Sequence, residues 1–137
     1  MYLLYLHDIC GSQFEIAAQN IFDQDSGAFT GEISAKQLKD ANIKWTLVGH
    51  SERRTILRED DSFLARKTEC AIRNGVNVIL CCGETLGQRD EGKTIEVVTD
   101  QLRKVKQEID EDAWKSIVIA YEPVWAIGTG KVATTGK

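Results

Sequence analysis

Short apolar runs alternate with amphipathic stretches along this sequence, and that alternation strongly limits the folds it can adopt. Runs rich in strand-forming residues occur at 14–19, 44–49, 76–82 and 116–121. Helical patterns occupy the intervals at 34–41, 61–74 and 94–110. Strands separated by helices favour parallel pairing through right-handed crossovers. The sequence therefore predicts an α/β fold, with one domain over residues 1–137.

The boundaries of the predicted helices carry recognisable signals. Ser34 is a good N-cap, and Asn74-Gly75 is typical of a left-handed helix end. In the last helix, apolar side chains recur at three- and four-residue steps, at Ile95, Val98, Leu102, Val105 and Ile109. The first residues, 1–10, predict a structural helix. Residues 20–32 predict a loop, and 83–89 a loop or a single turn.

Composition argues against several classes of function. A formal net charge of −4 offers no electrostatic basis for binding nucleic acid or an anionic membrane, and no apolar run is long enough to span a bilayer. The four cysteines form no C-x-x-C pair, and neither histidine lies at metal-ligand spacing from one. We therefore expect reduced, buried cysteines, no metal and no cofactor. With no secretory signal, a cytoplasmic location is expected.

Ionisable residues follow the carboxyl ends of three predicted strands: His50, Glu84 and Glu122. In α/β folds the loops at that edge form the ligand site. His50 precedes a plausible helix start, whose partial positive charge would keep the imidazole uncharged and able to donate a hydrogen bond. Glu122 lies between a buried strand and Pro123, where partial desolvation makes a carboxylate a better base.

Together, Glu122 and His50 suit proton abstraction next to a carbonyl. Taken singly, each has an alternative interpretation. His50 alone is equally typical of a structural histidine bonded to backbone, and Glu122 of a rim glutamate paired with a basic residue. Four charged residues also near the rim are individually typical of solvated surface charges: Glu52, Arg53, Glu59 and Glu84.

The segment 123–133 has an apolar middle and two glycines, which is typical of a lid that closes over a site and excludes water. Gly128 could bring a backbone N–H close to an anion such as phosphate. Gly130-Lys131 suggests a nucleotide-binding P-loop as an alternative. That motif requires glycine at 125 and serine or threonine at 132, where this chain has Trp125 and Val132, so we reject it.

Five blocks of the sequence resemble the triosephosphate isomerase family, in the family's order and spacing. The two most specific are Ala120-Tyr121-Glu122-Pro123-Val124-Trp125-Ala126-Ile127-Gly128-Thr129-Gly130 and Val48-Gly49-His50-Ser51-Glu52-Arg53-Arg54. The others are Ala17-Ala18-Gln19-Asn20, Gly27-Ala28-Phe29-Thr30-Gly31-Glu32 and Cys81-Cys82-Gly83-Glu84-Thr85-Leu86.

The resemblance implies a (β/α)8 barrel that interconverts dihydroxyacetone phosphate and glyceraldehyde 3-phosphate, in glycolysis and gluconeogenesis. It implies that Glu122 transfers the proton, that neutral His50 polarises the carbonyl, and that Glu52 lies behind the site, linked to a lysine. The Gly128 N–H would bind the substrate phosphate, with Cys81 and Glu84 as structural support. The closing loop would comprise Pro123, Val124, Trp125, Ala126, Ile127, Thr129, Gly130 and Lys131.

The resemblance also implies a homodimer. The loop 25–32 would insert into the partner, with Thr30 reaching the neighbouring site. Glu32 and Arg53 would form an ion pair across the interface.

Full members of the family run to about 250 residues, so this chain corresponds to a partial barrel covering about strands 3 to 6. The Asn-x-Lys of the family's first strand and the phosphate loops of its last strands lack counterparts here. Four strands leave open edges, so we expect this polypeptide alone to be inactive, poorly folded or self-associating. Two alternatives remain: a short non-catalytic product that binds a partner subunit through 25–32, and another phosphate-binding barrel that shares only the fold.

Overall fold

The structure, a computed structural model, describes residues 2–133 and is built around a four-stranded parallel sheet. The strands are β1 (Ala17–Ala18), β2 (Trp45–Val48), β3 (Asn77–Cys82) and β4 (Ile117–Tyr121). They lie side by side in chain order, and every pairing is parallel. The predicted α/β architecture is therefore confirmed.

Six α-helices connect and flank the strands. They are α1 (Leu3–Cys10), α2 (Ala35–Asp40), α3 (Ser51–Ile56), α4 (Asp61–Arg73), α5 (Leu86–Asp90) and α6 (Thr94–Glu108). Single turns of 3-10 helix occur at Gly11–Gln13 and Val124–Ala126, and a longer 3-10 helix at Glu111–Ser116. Within residues 2–133, no helix combines the length and apolar character needed to cross a membrane.

The core lies between the sheet and its covering helices. Alternate residues of the two middle strands, including Val48, Val78 and Leu80, are buried against apolar side chains of α4. In α4 the buried positions Leu64, Ala65, Thr68 and Ala71 recur at helical spacing, as expected for one inward face. This packing anchors β2 and β3, whose carboxyl ends carry the candidate site.

Local signals set the helix boundaries as predicted. The Ser34 hydroxyl accepts a hydrogen bond from Gln37 N, and the Gln37 side chain bonds back to Ser34 N, which completes a capping box. Gly75, after α4, has a φ of +77°, a left-handed conformation that glycine adopts without strain.

Three local predictions need correction. The predicted strand 14–19 shortens to Ala17–Ala18, because only these two residues pair with β2, at Trp45 and Thr46. The segment 83–89, predicted as a loop or single turn, contains α5, which starts with a capping box between Thr85 and Gln88. Ile95, predicted on the apolar face of α6, is 78% exposed because it lies in the first turn of α6, beyond the packed core.

Candidate active site

The carboxyl ends of three neighbouring strands bring the candidate residues to one rim. His50 follows β2 after Gly49, Glu84 follows β3 after Gly83, and Glu122 follows β4 directly. Parallel strands point the same way, so these positions converge although they are far apart in the chain. The backbone N–H of Glu122 donates to Cys82 O at 2.8 Å, which extends the β3–β4 pairing into the site.

His50 and Glu122 are in direct contact. The imidazole Nε2 lies 2.9 Å from Glu122 Oε1. The other carboxylate oxygen, Oε2, accepts a hydrogen bond from the backbone N–H of Ser51 at 2.9 Å. The Glu122 side chain is 17% exposed and the His50 side chain 32%. The carboxylate is thus oriented at both oxygens, in a site open enough for a small molecule to reach.

The backbone of α3 selects the tautomer of His50. His50 is the N-cap of α3, and its Nδ1 accepts a hydrogen bond from the backbone N–H of Glu52 at 3.3 Å. A ring nitrogen that accepts a hydrogen bond carries no proton, so in neutral imidazole the proton lies on Nε2. Nε2 is the atom that faces Glu122. His50 can therefore offer an uncharged N–H donor to a substrate oxygen at this rim.

Glu52 contacts His50 mainly through its backbone N–H and less through its side chain. The side chain is 74% exposed, and its Oε2 lies 3.8 Å from His50 Nδ1. Its expected link to a lysine behind the site remains a prediction.

The predicted lid begins with a well-packed turn. Trp125, in the 3-10 helix Val124–Ala126, is buried, and its Nε1–H donates to Glu84 Oε1 at 3.0 Å. Thr129 closes the next turn by donating its hydroxyl to Trp125 O at 2.9 Å. Gly128 lies in that turn, exposed and with a φ of +70°. The buried residue of this segment, Trp125, therefore precedes Gly128, and the apolar Ile127 is half exposed.

Glu84 is a fully buried carboxylate that joins β3, β4 and the lid. It accepts hydrogen bonds from Tyr121 Oη at 2.9 Å, from Thr94 Oγ1 at 3.1 Å and from Arg89 at 3.3 Å, besides that from Trp125. Burial alone would raise the pKa of Glu84, but a hydrogen bond from its own backbone N–H and those from Tyr121, Trp125 and Thr94 lower it below its ordinary value. Burial and the bond to Glu84 raise the pKa of Tyr121.

Cys81 lies close to the catalytic candidates but is chemically quiet. It is buried, and burial together with the nearby Glu122 carboxylate raises the pKa of its thiol to about 12. All four cysteines are free: Cys70, Cys81 and Cys82 are buried and Cys10 is partly exposed. The predicted burial of the cysteines is therefore confirmed for three of the four.

The three residues expected at a subunit interface differ in their surroundings. Thr30 and Glu32 are exposed on the loop 25–32. Arg53 pairs within the chain, donating to Glu59 Oε1 from Nε at 2.9 Å. The expected pairing of Glu32 with Arg53 across an interface remains a prediction.

Sequence reasoning missed two polar groups near the rim. Lys67 is fully buried in the middle of α4 and donates to Glu59 at 2.7 Å and to Asn20 at 2.9 Å. Burial would raise the pKa of Glu59, but the bonds from Arg53 and Lys67 lower it. The second is Arg54, whose guanidinium contacts the ends of β2 and β3. For Lys67 the sequence offered one signal, a lysine on the inward face of an amphipathic helix. Such a lysine indicates an acidic partner, because a buried cation is almost always paired.

Within the described part of the chain, no cluster of three or more His, Cys, Asp or Glu side chains is suited to a metal ion. The functional groups at the rim are instead an oriented carboxylate and an N–H-donating imidazole. The fold and site thus define an α/β protein with a carboxylate–imidazole pair, of the type that general acid–base chemistry uses, at the carboxyl edge of a parallel sheet.

Comparison with known proteins identifies the family. The family model described as triosephosphate isomerase matches residues 1–137. Curated triosephosphate isomerases of Paracoccidioides lutzii and Emericella nidulans are each 58% identical over 135 residues, covering 98% of this chain and 54% of the relative. That of Coprinopsis cinerea is 54% identical over 137 residues, covering all of this chain and 55% of the relative.

The chain therefore belongs to the triosephosphate isomerase family. It spans about half the length of the curated relatives it matches. Its four parallel strands are accordingly part of a (β/α)8 barrel.

Proposed function

We propose that the protein to which this chain belongs is a triose-phosphate isomerase, which interconverts dihydroxyacetone phosphate and D-glyceraldehyde 3-phosphate in glycolysis and gluconeogenesis. This segment contributes the base, Glu122, and the hydrogen-bond donor, His50. The contact between His50 Nε2 and Glu122 Oε1 at 2.9 Å carries the proposal, together with the family. A cytoplasmic location and a homodimer belong to the same proposal.

The geometry suits proton transfer through an enediolate. A substrate carbonyl would replace Glu122 as the acceptor of the Nε2–H proton, leaving the carboxylate free to remove a proton from the adjacent carbon. Negative charge then develops on the oxygen beside Nε2–H and is stabilised there. His50 Nε2 donates its proton to that oxygen and takes the proton of the neighbouring hydroxyl, which becomes the new carbonyl. Glu122 returns its proton to the carbon that carried the original carbonyl. The product has the same oxidation level as the substrate, so the reaction requires no redox cofactor.

Other residues have supporting roles in this proposal. The N–H of Gly128 binds the substrate phosphate, and the lid 123–131 closes over the enediolate and excludes water. Glu52 supports His50 through its backbone N–H, the contact already present at 3.3 Å. The loop 25–32, with Thr30 and Glu32, docks on a second subunit, where Glu32 pairs with Arg53 of the partner subunit.

A hybrid enzyme tests the catalytic role. Residues 1–137 replace the aligned 135-residue region of the Emericella nidulans relative, with which they share 58% identity. We expect the hybrid to isomerise triose phosphate in a coupled dehydrogenase assay. Glu122→Gln should lower kcat by about 10²–10⁴-fold because it removes the general base, and His50→Ala should lower it by about 10²–10³-fold.

Glu96→Gln is the matched control, since Glu96 is an exposed glutamate in the first turn of α6. It should leave kcat unchanged. A folded hybrid without turnover, or one in which Glu122→Gln is fully active, contradicts the proposal.

The 137-residue polypeptide by itself is expected to show no measurable turnover. Its outer strand β4 has Val118 and Ile119 about half exposed, and an unpaired strand edge promotes association between chains. Size-exclusion chromatography and the coupled assay on this polypeptide measure both properties. A stable, active monomer would refute this part of the proposal.

A further inference from the structure

We propose that Arg54 is a positioning residue for the catalytic pair. Its guanidinium hydrogen-bonds both strands just beyond the last backbone pair of β2 and β3, and so sets the spacing between His50 and Glu122. The inference rests on the proposed isomerase function, because positioning is defined relative to those two groups.

The guanidinium joins two strand ends that backbone pairing no longer joins. The last paired residues of β2 and β3 are Val48 and Leu80. One residue further on, Arg54 Nε donates to Gly49 O at 2.8 Å, and Arg54 Nη2 donates to Cys81 O at 3.1 Å. A side chain thus satisfies two carbonyls at the point where the strands diverge into their loops.

Each of these carbonyls is connected through the backbone to one member of the proposed catalytic pair. Gly49 O belongs to the peptide that links Gly49 to His50. The bond from Arg54 therefore fixes the orientation of the peptide plane directly before His50. On β3, Cys81 is followed by Cys82, whose carbonyl accepts the backbone N–H of Glu122 at 2.8 Å. A short series of bonded groups therefore connects the backbones of both members of the pair through Arg54.

The surroundings hold Arg54 in this orientation. Its Nη1 bonds Asp61 Oδ1 at 2.5 Å, and Asp61 is the first residue of α4. Gly49 has a φ of +80°, and a Cβ at that position would lie 3.0 Å from both Arg54 Nη2 and Cys81 O. Gly49, the Arg54 guanidinium and the Cys81 carbonyl are therefore packed so closely that a side chain at position 49 would disturb them.

The arrangement requires a guanidinium rather than a positive charge alone. Three partners are bonded in one plane through Nε, Nη1 and Nη2, and an ammonium group lacks that planar fork. Lysine at position 54 would keep the positive charge but could not hold both carbonyls and Asp61. The change Arg54→Lys therefore separates geometry from electrostatics.

Kinetics of the hybrid enzyme test the inference. Arg54→Lys and Arg54→Ala should each lower kcat by about 10- to 100-fold, because a misplacement near 1 Å can cost about 10²-fold, while KM changes less than about twofold. Arg103→Ala, an exposed arginine of α6, is the control and should match the parent. Millimolar guanidinium chloride should restore several-fold of the lost kcat in Arg54→Ala, and ammonium chloride should not.

Nuclear magnetic resonance provides a readout that does not depend on turnover. In Arg54→Lys we expect the His50 Nε2 resonance to shift, and the Ser51 and Glu122 amide protons to exchange at least tenfold faster than in the parent. Parent-like kcat and parent-like resonances in Arg54→Lys overturn the inference. So does a lowered Tm with unchanged kcat, which would assign Arg54 a purely structural role.

The two proposals fail differently. A folded but inactive parent hybrid contradicts the isomerase function, and the resonances then still decide whether Arg54 maintains the contact between His50 and Glu122. An active parent that tolerates Arg54→Lys contradicts only the positioning role.

Discussion

The indole Nε1 of Trp125 lies 3.0 Å from Oε1 of Glu84, so the segment after β4 is tied to a carboxylate that follows β3. Both side chains are buried. The carboxylate cannot turn to water if its donors are removed, and a buried charge without its hydrogen bonds is costly. This contact therefore fixes where the proposed lid begins.

Trp125→Phe should release the lid while leaving the sheet intact. The change keeps most of the buried ring but removes one hydrogen bond to a buried charge, a loss of about 1–3 kcal/mol. In the hybrid enzyme we expect faster amide exchange over 123–131 and little change in β3, measured by hydrogen exchange with mass spectrometry. Trp114→Phe, in the 3-10 helix Glu111–Ser116, is the control and should leave 123–131 unchanged. Equal exchange in both variants would show that the indole bond does not anchor the lid.

The same anchor should withstand a wide pH range. The pKa of Glu84 is lowered, so its contribution is complete above the ordinary glutamate value of about 4.3 and is lost as pH falls through the folded-state pKa. The pKa of Tyr121 is raised, so its contribution is complete below about 10 and is lost as pH rises through the folded-state pKa. We expect constant Trp125 fluorescence from about pH 5 to about pH 9.5.

Fluorescence of a hybrid in which Trp125 is the only tryptophan measures this range. Glu84→Gln should remove the change in fluorescence at low pH, because the amide does not titrate. A midpoint near pH 6–7 would exclude Glu84 as the group that holds Trp125.

The cysteines should differ sharply in reactivity. Burial and the Glu122 carboxylate raise the pKa of Cys81 to about 12, and burial also raises those of Cys70 and Cys82. The thiolate is the reactive form, so these three should resist alkylation at pH 8, while the partly exposed Cys10 is modified first. Iodoacetamide labelling followed by peptide mass spectrometry gives the order. Rapid labelling of Cys81 in folded protein would contradict the buried position beside Glu122.

Gly83 should tolerate no side chain. A Cβ at Gly83 would lie 1.8 Å from the carbonyl oxygen of Glu122, a backbone atom that cannot move without displacing the residue that carries the proposed base. Gly83→Ala should therefore lower both Tm and kcat, with a stability loss of roughly 1–3 kcal/mol or more.

Gly87→Ala is the matched control for Gly83→Ala. Gly87 lies in α5 with nothing within 4 Å of an added Cβ, so alanine should stabilise the protein by about 0.5–1 kcal/mol. Thermal unfolding and the coupled assay compare the two. Equal effects would mean that the close approach of Gly83 to Glu122 is not a constraint.

The sequence by itself determined the order of the elements, the parallel sheet and the helix starts at Ser34 and His50. These features depend on local periodicity and on side chains that bond backbone within three residues, so they are readable from neighbouring positions. The family motifs likewise pointed to His50 and Glu122.

Tertiary structure decided how those residues meet. The 2.9 Å contact of His50 with Glu122, the fork of Arg54 across two strand ends and the burial of Glu84 all join segments from different strands. Their partners are set by sheet register and by helix packing, which no local pattern encodes. Strand length is similarly non-local: β1 is limited to Ala17 and Ala18 because only these residues pair with Trp45 and Thr46 of β2.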